Sequence, residues 1–197
     1  MEEIRNEVKQ EKRITNKDLM KVWWRWVFFQ EASVSYERLQ APGFFYAISP
    51  VLVKLYGDNP EELTAACKRH MQFYNSEPYC GLAIHGITLA LEEERANGAP
   101  ISDEAINSLK TGLMGPLAGI GDTISWSTLM YLLIGLFLPL AKKGNPLGGI
   151  GPIVLLTVIC FGIGYFLTQK CYTFGYSFAE NMLKSGLVNK IIAGASI

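Results

Sequence analysis

Two stretches of this chain, residues 123–140 and 150–169, carry no charged side chain and are apolar almost throughout. About 20 such residues let a helix cross the hydrocarbon core of a bilayer, so the pattern predicts two membrane-spanning helices in succession. Between residues 111 and 169 the only charges are Asp122, Lys142 and Lys143, and the two lysines open the Gly144-Asn145-Pro146 turn between the spans. Upstream, apolar positions recur at helical spacing. Thr15 is placed to cap a helix over residues 17–40, with Asp18 at its third position and Ile14 and Leu19 at staple spacing. Ala41-Pro42-Gly43 reads as its end. Asn59 caps a second helix with Pro60 first and Glu61-Glu62 in the opening turn. Its buried stripe is Leu63, Ala66, Cys67, His70, Met71 and Tyr74. A third helix covers residues 79–96, apolar through Leu91 and acidic at Glu92-Glu93-Glu94. Ser102 caps a fourth. No segment alternates as a strand does, and the chain reads as all-α.

From residue 112 the chemistry changes. Gly112, Gly115, Pro116, Gly119 and Gly121 fill half of ten positions, which is poor helix chemistry and predicts a broken or re-entrant segment ahead of the first span. Gly162 and Gly164 give the second span a smooth face, and a more polar helix is expected over residues 172–190. The chain therefore divides into a polar cytoplasmic tail (1–15), an amphipathic or interfacial helical arm (16–111) and a transmembrane region (112–197). The last of these is expected to be incomplete, because residues 191–197 look like the start of another apolar segment.

Charge supports that division. The net charge is zero, yet residues 1–111 hold 29 of the 36 charged side chains. No basic face suits nucleic acid. The polar start lacks the apolar core of a secretory signal, which places the N-terminus in the cytoplasm. Trp23, Trp24 and Trp26 crowd the first helix beside Lys21 and Arg25, the composition of a membrane-interface anchor. The four cysteines lack disulfide or Cys-x-x-Cys spacing and read as unpaired. Two histidines without a His-Glu-x-x-His pattern give no metal site, and no phosphate loop or dinucleotide fingerprint implies a cofactor. Asp122 has two readings, as the cap of the helix that follows and as a lining residue of a solute path. Glu92, Glu93 and Glu94 are either a solvated helix end or a subunit contact.

Segment 113–122 (Leu-Met-Gly-Pro-Leu-Ala-Gly-Ile-Gly-Asp), with Ala90-Leu-Glu-Glu-Glu-Arg-Ala-Asn-Gly98, resembles the IID component of the mannose/fructose/sorbose family of bacterial sugar phosphotransferase (PTS) permeases. Tyr36-Glu37-Arg38-Leu39-Gln40, Gly43-Phe44, Pro50, Arg69-His70, Phe73, Asn75 and Pro78 extend the likeness over residues 21–197. The resemblance implies a plasma-membrane subunit that pairs with a IIC subunit to carry a hexose. Soluble IIA and IIB components deliver the phosphoryl group, and no phosphorylated or catalytic residue is expected here. Gly115, Pro116, Gly119, Gly121 and Asp122 are the residues expected at the helix break near that sugar pathway. Arg38, Asn75 and Glu92–Glu94 are candidate subunit contacts. The alternative is a scaffold that steadies IIC and docks IIB without touching sugar. Ser35 and Ala41 stand where family members commonly have Asn, so a polar contact from either position is not carried over.

Overall fold

The structure, a computed structural model, describes residues 11–184. The helices are α1 (Asn16–Phe29), α2 (Ala41–Tyr56), α3 (Pro60–His70), α4 (Leu82–Ala96), α5 (Asp103–Asp122), α6 (Met130–Lys142) and α7 (Leu147–Lys184), with a π-helical segment, Thr123–Leu129, between α5 and α6. Strand structure among the described residues is limited to isolated bridges that pair Leu39 with Ser35 and with Tyr74. The first ten residues and the apolar end at 191–197 lie outside the described residues, as do the side chains of Tyr176 and Phe178.

Three helix starts follow local capping chemistry. Thr15 and Asp18 form a reciprocal capping box on α1. Asn59 caps α3 ahead of Pro60, and Ser102 caps α5 ahead of Asp103 and Glu104. The expectation for residues 17–40 is corrected: α1 stops at Phe29, and Ala41-Pro42-Gly43 begins α2 instead of ending α1. Proline lacks only an amide that the first helical turn leaves unbonded in any case, so the same tripeptide can open a helix. The third expected helix begins at Leu82, three residues later than its pattern suggested.

Helices α1–α4 form an arm around Trp26, Phe44, Ile48, Leu52, Leu55, Tyr74, Leu82, Ile84 and Leu89, all fully buried. Two helices long and apolar enough to span a membrane follow, Asp103–Lys142 and Leu147–Gly175. Only 11% and 17% of their most apolar stretches are buried, so most of that surface faces outward instead of forming a core. The chain is an all-helical membrane protein.

The Gly/Pro-rich segment differs from its expectation. Residues 113–122 remain helical, and the departure from α geometry falls later, in the π turn. In hydrocarbon an unpaired backbone group costs several kcal/mol, so a helix that accommodates Pro116 and widens into a π turn is favoured over an open break. The expected change of helix near residue 170 is also absent, because α7 continues unbroken to Lys184.

The arm joins the spans mainly through α4 lying along α7. Bare backbone permits the approach. A Cβ at Gly86 would come within 2.5 Å of the Thr168 carbonyl and 2.7 Å of the Tyr172 amide, and one at Gly175 within 2.9 Å of Ile87 Cα. Gly164 faces Leu82, whereas Gly162 meets nothing within 4 Å. Gly86→Ala should therefore lower the melting temperature of the detergent-solubilised chain by several degrees, an overpacking cost of about 1–3 kcal/mol. Gly112→Ala, in open space within α5, should leave it unchanged or raise it slightly, since alanine is the better helix former. Equal melting curves for both would refute close α4–α7 packing.

Candidate functional site

The arm meets the first spanning helix at the loop between α3 and α4. Ser76 Oγ donates to the Met114 carbonyl at 3.2 Å. Glu77 lies flat against Gly121, where a Cβ would stand 2.7 Å from Glu77 Cβ, Cγ and Oε2. Its Oε2 accepts the amides of Tyr79 at 3.0 Å and Cys80 at 2.6 Å, which holds the turn into α4. Its Oε1 is buried and has no partner among the described residues. Trp26 Nε1 donates to the Pro78 carbonyl at 2.6 Å and fixes the loop from the other side.

The opposite face of α5 is open. Gly115, Pro116, Gly119 and Asp122 are exposed, and a Cβ built at Gly112, Gly115 or Gly119 would meet nothing within 4 Å. Asp122 does not cap a helix. It sits within helical geometry (φ −60°, ψ −39°) without a side-chain cap bond, because the helix does not restart at Thr123. The capping reading is thereby removed. Of the five residues expected at the break, Gly121 faces the arm and the other four face outward.

A buried charge network holds the arm behind this seam. Arg69 grips Glu92 bidentately, Nε to Oε1 and Nη2 to Oε2, both at 2.8 Å. His70 Nε2 reaches the same Oε1 at 2.7 Å, and Tyr56 donates to Oε2 at 2.6 Å. Arg69 also pairs with Asp103 at 2.7 Å, and Arg95 bonds Asp103 at 2.5 Å. Burial works to raise the Glu92 carboxyl, but the hydrogen bonds from His70 and Arg69 and the charge of Arg69 outweigh it and hold the group at about 2. Burial lowers His70 against the pull of Glu92, and takes His85 down to about 3. A neutral His70 donates from Nε2, which leaves Nδ1 without a partner among the described residues. Both imidazoles are fully buried, so neither can meet a phosphoryl donor in this conformation.

These positions correct several expectations. Glu92 is fully buried and Glu93 nearly so; Glu93 accepts the Ile14 amide at 3.1 Å and the Tyr172 hydroxyl. Carboxylates occupied inside the chain cannot serve as subunit contacts, and only the half-buried Glu94 keeps that option. Trp26 is a core residue. Trp23 stands edge-on to Phe161 and Tyr165 of α7, which leaves Trp24, 45% exposed and stacked on Phe28, as the outward indole of α1. Arg38 and Asn75 are exposed. Arg69, Tyr56, Asp103 and Glu77 are the site residues that sequence reasoning passed over. The available signal was charge within apolar context, Arg69-His70 closing an amphipathic helix and Glu77 between two apolar stretches. No cluster of metal-ligating side chains occurs among the described residues.

A family model described as "PTS system mannose/fructose/sorbose family IID component" matches residues 13–197. The chain is 40% identical over 187 residues to the "PTS system mannose-specific EIID component" of Escherichia coli (strain K12), covering 95% of this chain and 65% of that protein. It is 39% identical over 188 residues to the sorbose-specific EIID component of Lacticaseibacillus casei, covering 94% and 64%. It thus spans just under two thirds of the length of these relatives. A solved structure, "CryoEM Structure of Mannose Transporter ManYZ and Microcin E492 (MceA) complex", contains a chain similar at TM-score 0.83 and 37% identity, over 94% of this chain and 70% of that one.

The ionisation pattern sets the direction of pH dependence. Folded His70 and His85 stay neutral below the ordinary value of 6.5, so the unfolded chain takes up protons first as the pH falls. Each should withdraw up to about 1.4 kcal/mol per pH unit below that value. Glu92 contributes fully above its ordinary 4.5 and loses that contribution toward 2. The melting temperature should fall between pH 7 and pH 5, and less steeply in His85→Leu. Parallel slopes for the two proteins would contradict a buried neutral His85.

Proposed function

The chain belongs to the IID component family of the mannose/fructose/sorbose phosphotransferase systems, and from that premise we propose that it is a membrane subunit of a sugar-translocating permease. In this reading it pairs with a IIC subunit in the bacterial plasma membrane, with its N-terminus in the cytoplasm, and a hexose passes through the pair. The phosphoryl group comes from IIA and IIB components, and this chain supplies shape and polar contacts without covalent chemistry. Its likeness to a chain of the ManYZ mannose transporter supports the pairing.

The observation that carries the reading is the open face of α5. Gly112, Gly115 and Gly119 present bare backbone outward along a spanning helix, with Asp122 just beyond them. Small residues let a neighbouring membrane helix approach closely, and an acid at membrane depth marks a polar pathway or partner. The network around Glu92 would keep the arm rigid behind that face. Trp24 and Phe28 would rest the arm in the headgroup zone.

Gly115→Leu has room within the chain, so it should fold and insert normally. It should nonetheless abolish copurification with the IIC subunit in detergent, or hexose uptake in cells that supply the other components. Asp122→Asn should retain copurification and lose at least about tenfold in uptake, some 1.4 kcal/mol of barrier. Wild-type uptake by both variants would overturn the assignment of this face. A photoreactive hexose that labels IIC alone, never this chain near Asp122, would leave only the scaffold role.

A further inference from the structure

A second feature of the arm lies apart from the α5 face. The last turn of α3, the start of α2 and the loops beside them line a shallow, open groove of about 710 Å³. Its walls include Arg38, Phe45, Cys67, Lys68, Met71 and Phe73, and no carboxylate lines it.

The charge in this groove is uncompensated. Arg38 spends one guanidinium hydrogen bond on the Met71 carbonyl at 3.3 Å. Neither Arg38 nor Lys68 forms an ion pair among the described residues. A second groove on the arm, of about 720 Å³ beside Asn59, behaves differently. There Lys12 is matched by Asp58, and Arg95 by Glu62. The lysine of the first groove eases the negative end of α3, and Arg38 covers one terminal carbonyl there. That role consumes one of the five guanidinium donors and leaves the rest directed elsewhere. Apart from Gln72 the rest of the lining is apolar, with Phe45 half-buried and Phe73 53% exposed.

We propose that this groove is an anion site for a phosphoryl group carried on a molecule with an apolar face, its oxygens held by Arg38 and Lys68 and its body resting on Phe45 and Phe73. A planar guanidinium with free donors and a mobile ammonium together suit a tetrahedral oxyanion. Exposed aromatic rings suit the C–H face of a sugar ring or the glycerol and acyl portion of a lipid. The shared chemistry is therefore a phosphate ester, with two sources: a phosphorylated hexose or an anionic phospholipid headgroup. Only the first source draws on the transport reading above, so a failure of that reading leaves the anion site standing.

Cys67 lines the groove and reports on its occupancy, whereas Cys80 and Cys160 are buried. The measurement is the rate of maleimide labelling at Cys67, located by mass spectrometry, on the purified full chain in detergent. The probes are hexose 6-phosphate, the free hexose, and micelles doped with phosphatidylglycerol or phosphatidylcholine. A phosphate-bearing probe at about ten times its Kd should slow labelling roughly tenfold. Protection by hexose 6-phosphate identifies the soluble source, and protection by phosphatidylglycerol alone identifies the lipid. Arg38→Gln with Lys68→Gln should keep the unliganded labelling rate and lose the protection. The proposal fails if neither anion protects, if free hexose or phosphatidylcholine protects equally, or if the double variant stays protected. Protection that appears only on adding the IIC subunit also overturns it, in favour of a protein contact.

Discussion

A carboxylate removed from water must find its counter-charge nearby, and the arm is organised around that demand at Glu92. The residues that answer it come from different elements: Tyr56 from the end of α2, and Arg69 and His70 from the end of α3. Arg69 then passes to Asp103 at the start of α5, which also holds Arg95. One carboxylate therefore sets the mutual positions of α2, α3, α4 and α5. An isolated buried ion pair is weak evidence for net stability, because desolvation consumes most of the Coulomb gain. Its consequence here is geometric. Removing one partner would leave a buried charge unanswered, so alternative packings of these helix ends are heavily disfavoured.

The spanning region obeys a different constraint, the need to satisfy backbone groups without water. Pro116 and its neighbouring glycines remain helical for that reason, and Thr123, Thr157 and Thr168 turn their hydroxyls back onto carbonyls one turn earlier. The glycines divide by face. Gly121 lets Glu77 press against the helix, whereas Gly112, Gly115 and Gly119 stay open. A single glycine-rich helix thus joins the arm on one side and presents a smooth surface on the other.

The two constraints meet in the loop between α3 and α4. Ser76 and Glu77 tie it to α5, while Trp26 and Tyr74 hold it to the arm's core. The unpartnered Oε1 of Glu77 lies at this junction. The arm is thereby joined to the same helix whose outer face is open.

Much of this was legible from residue order, because it rests on interactions between near neighbours. The caps at Thr15, Asn59 and Ser102 each need only a side chain and an amide three residues on. The membrane spans need only a long run without charge. Other features depended on what each residue met in space. Ala41-Pro42-Gly43 can close a helix or open one, and Gly43 packing against the Phe29 and Gln30 carbonyls goes with its opening α2. Trp26 has the composition of an interfacial anchor, but its neighbours are Tyr74, His85 and the Pro78 carbonyl. Glu92 and Glu94 are indistinguishable along the chain, yet one faces Arg69 and the other the rim. Sequence by itself determined where helices start and which could enter lipid, since those are local free energies. Only the tertiary structure decided which charges are buried and which glycines are covered, because counter-charges and packing partners arrive from distant parts of the chain.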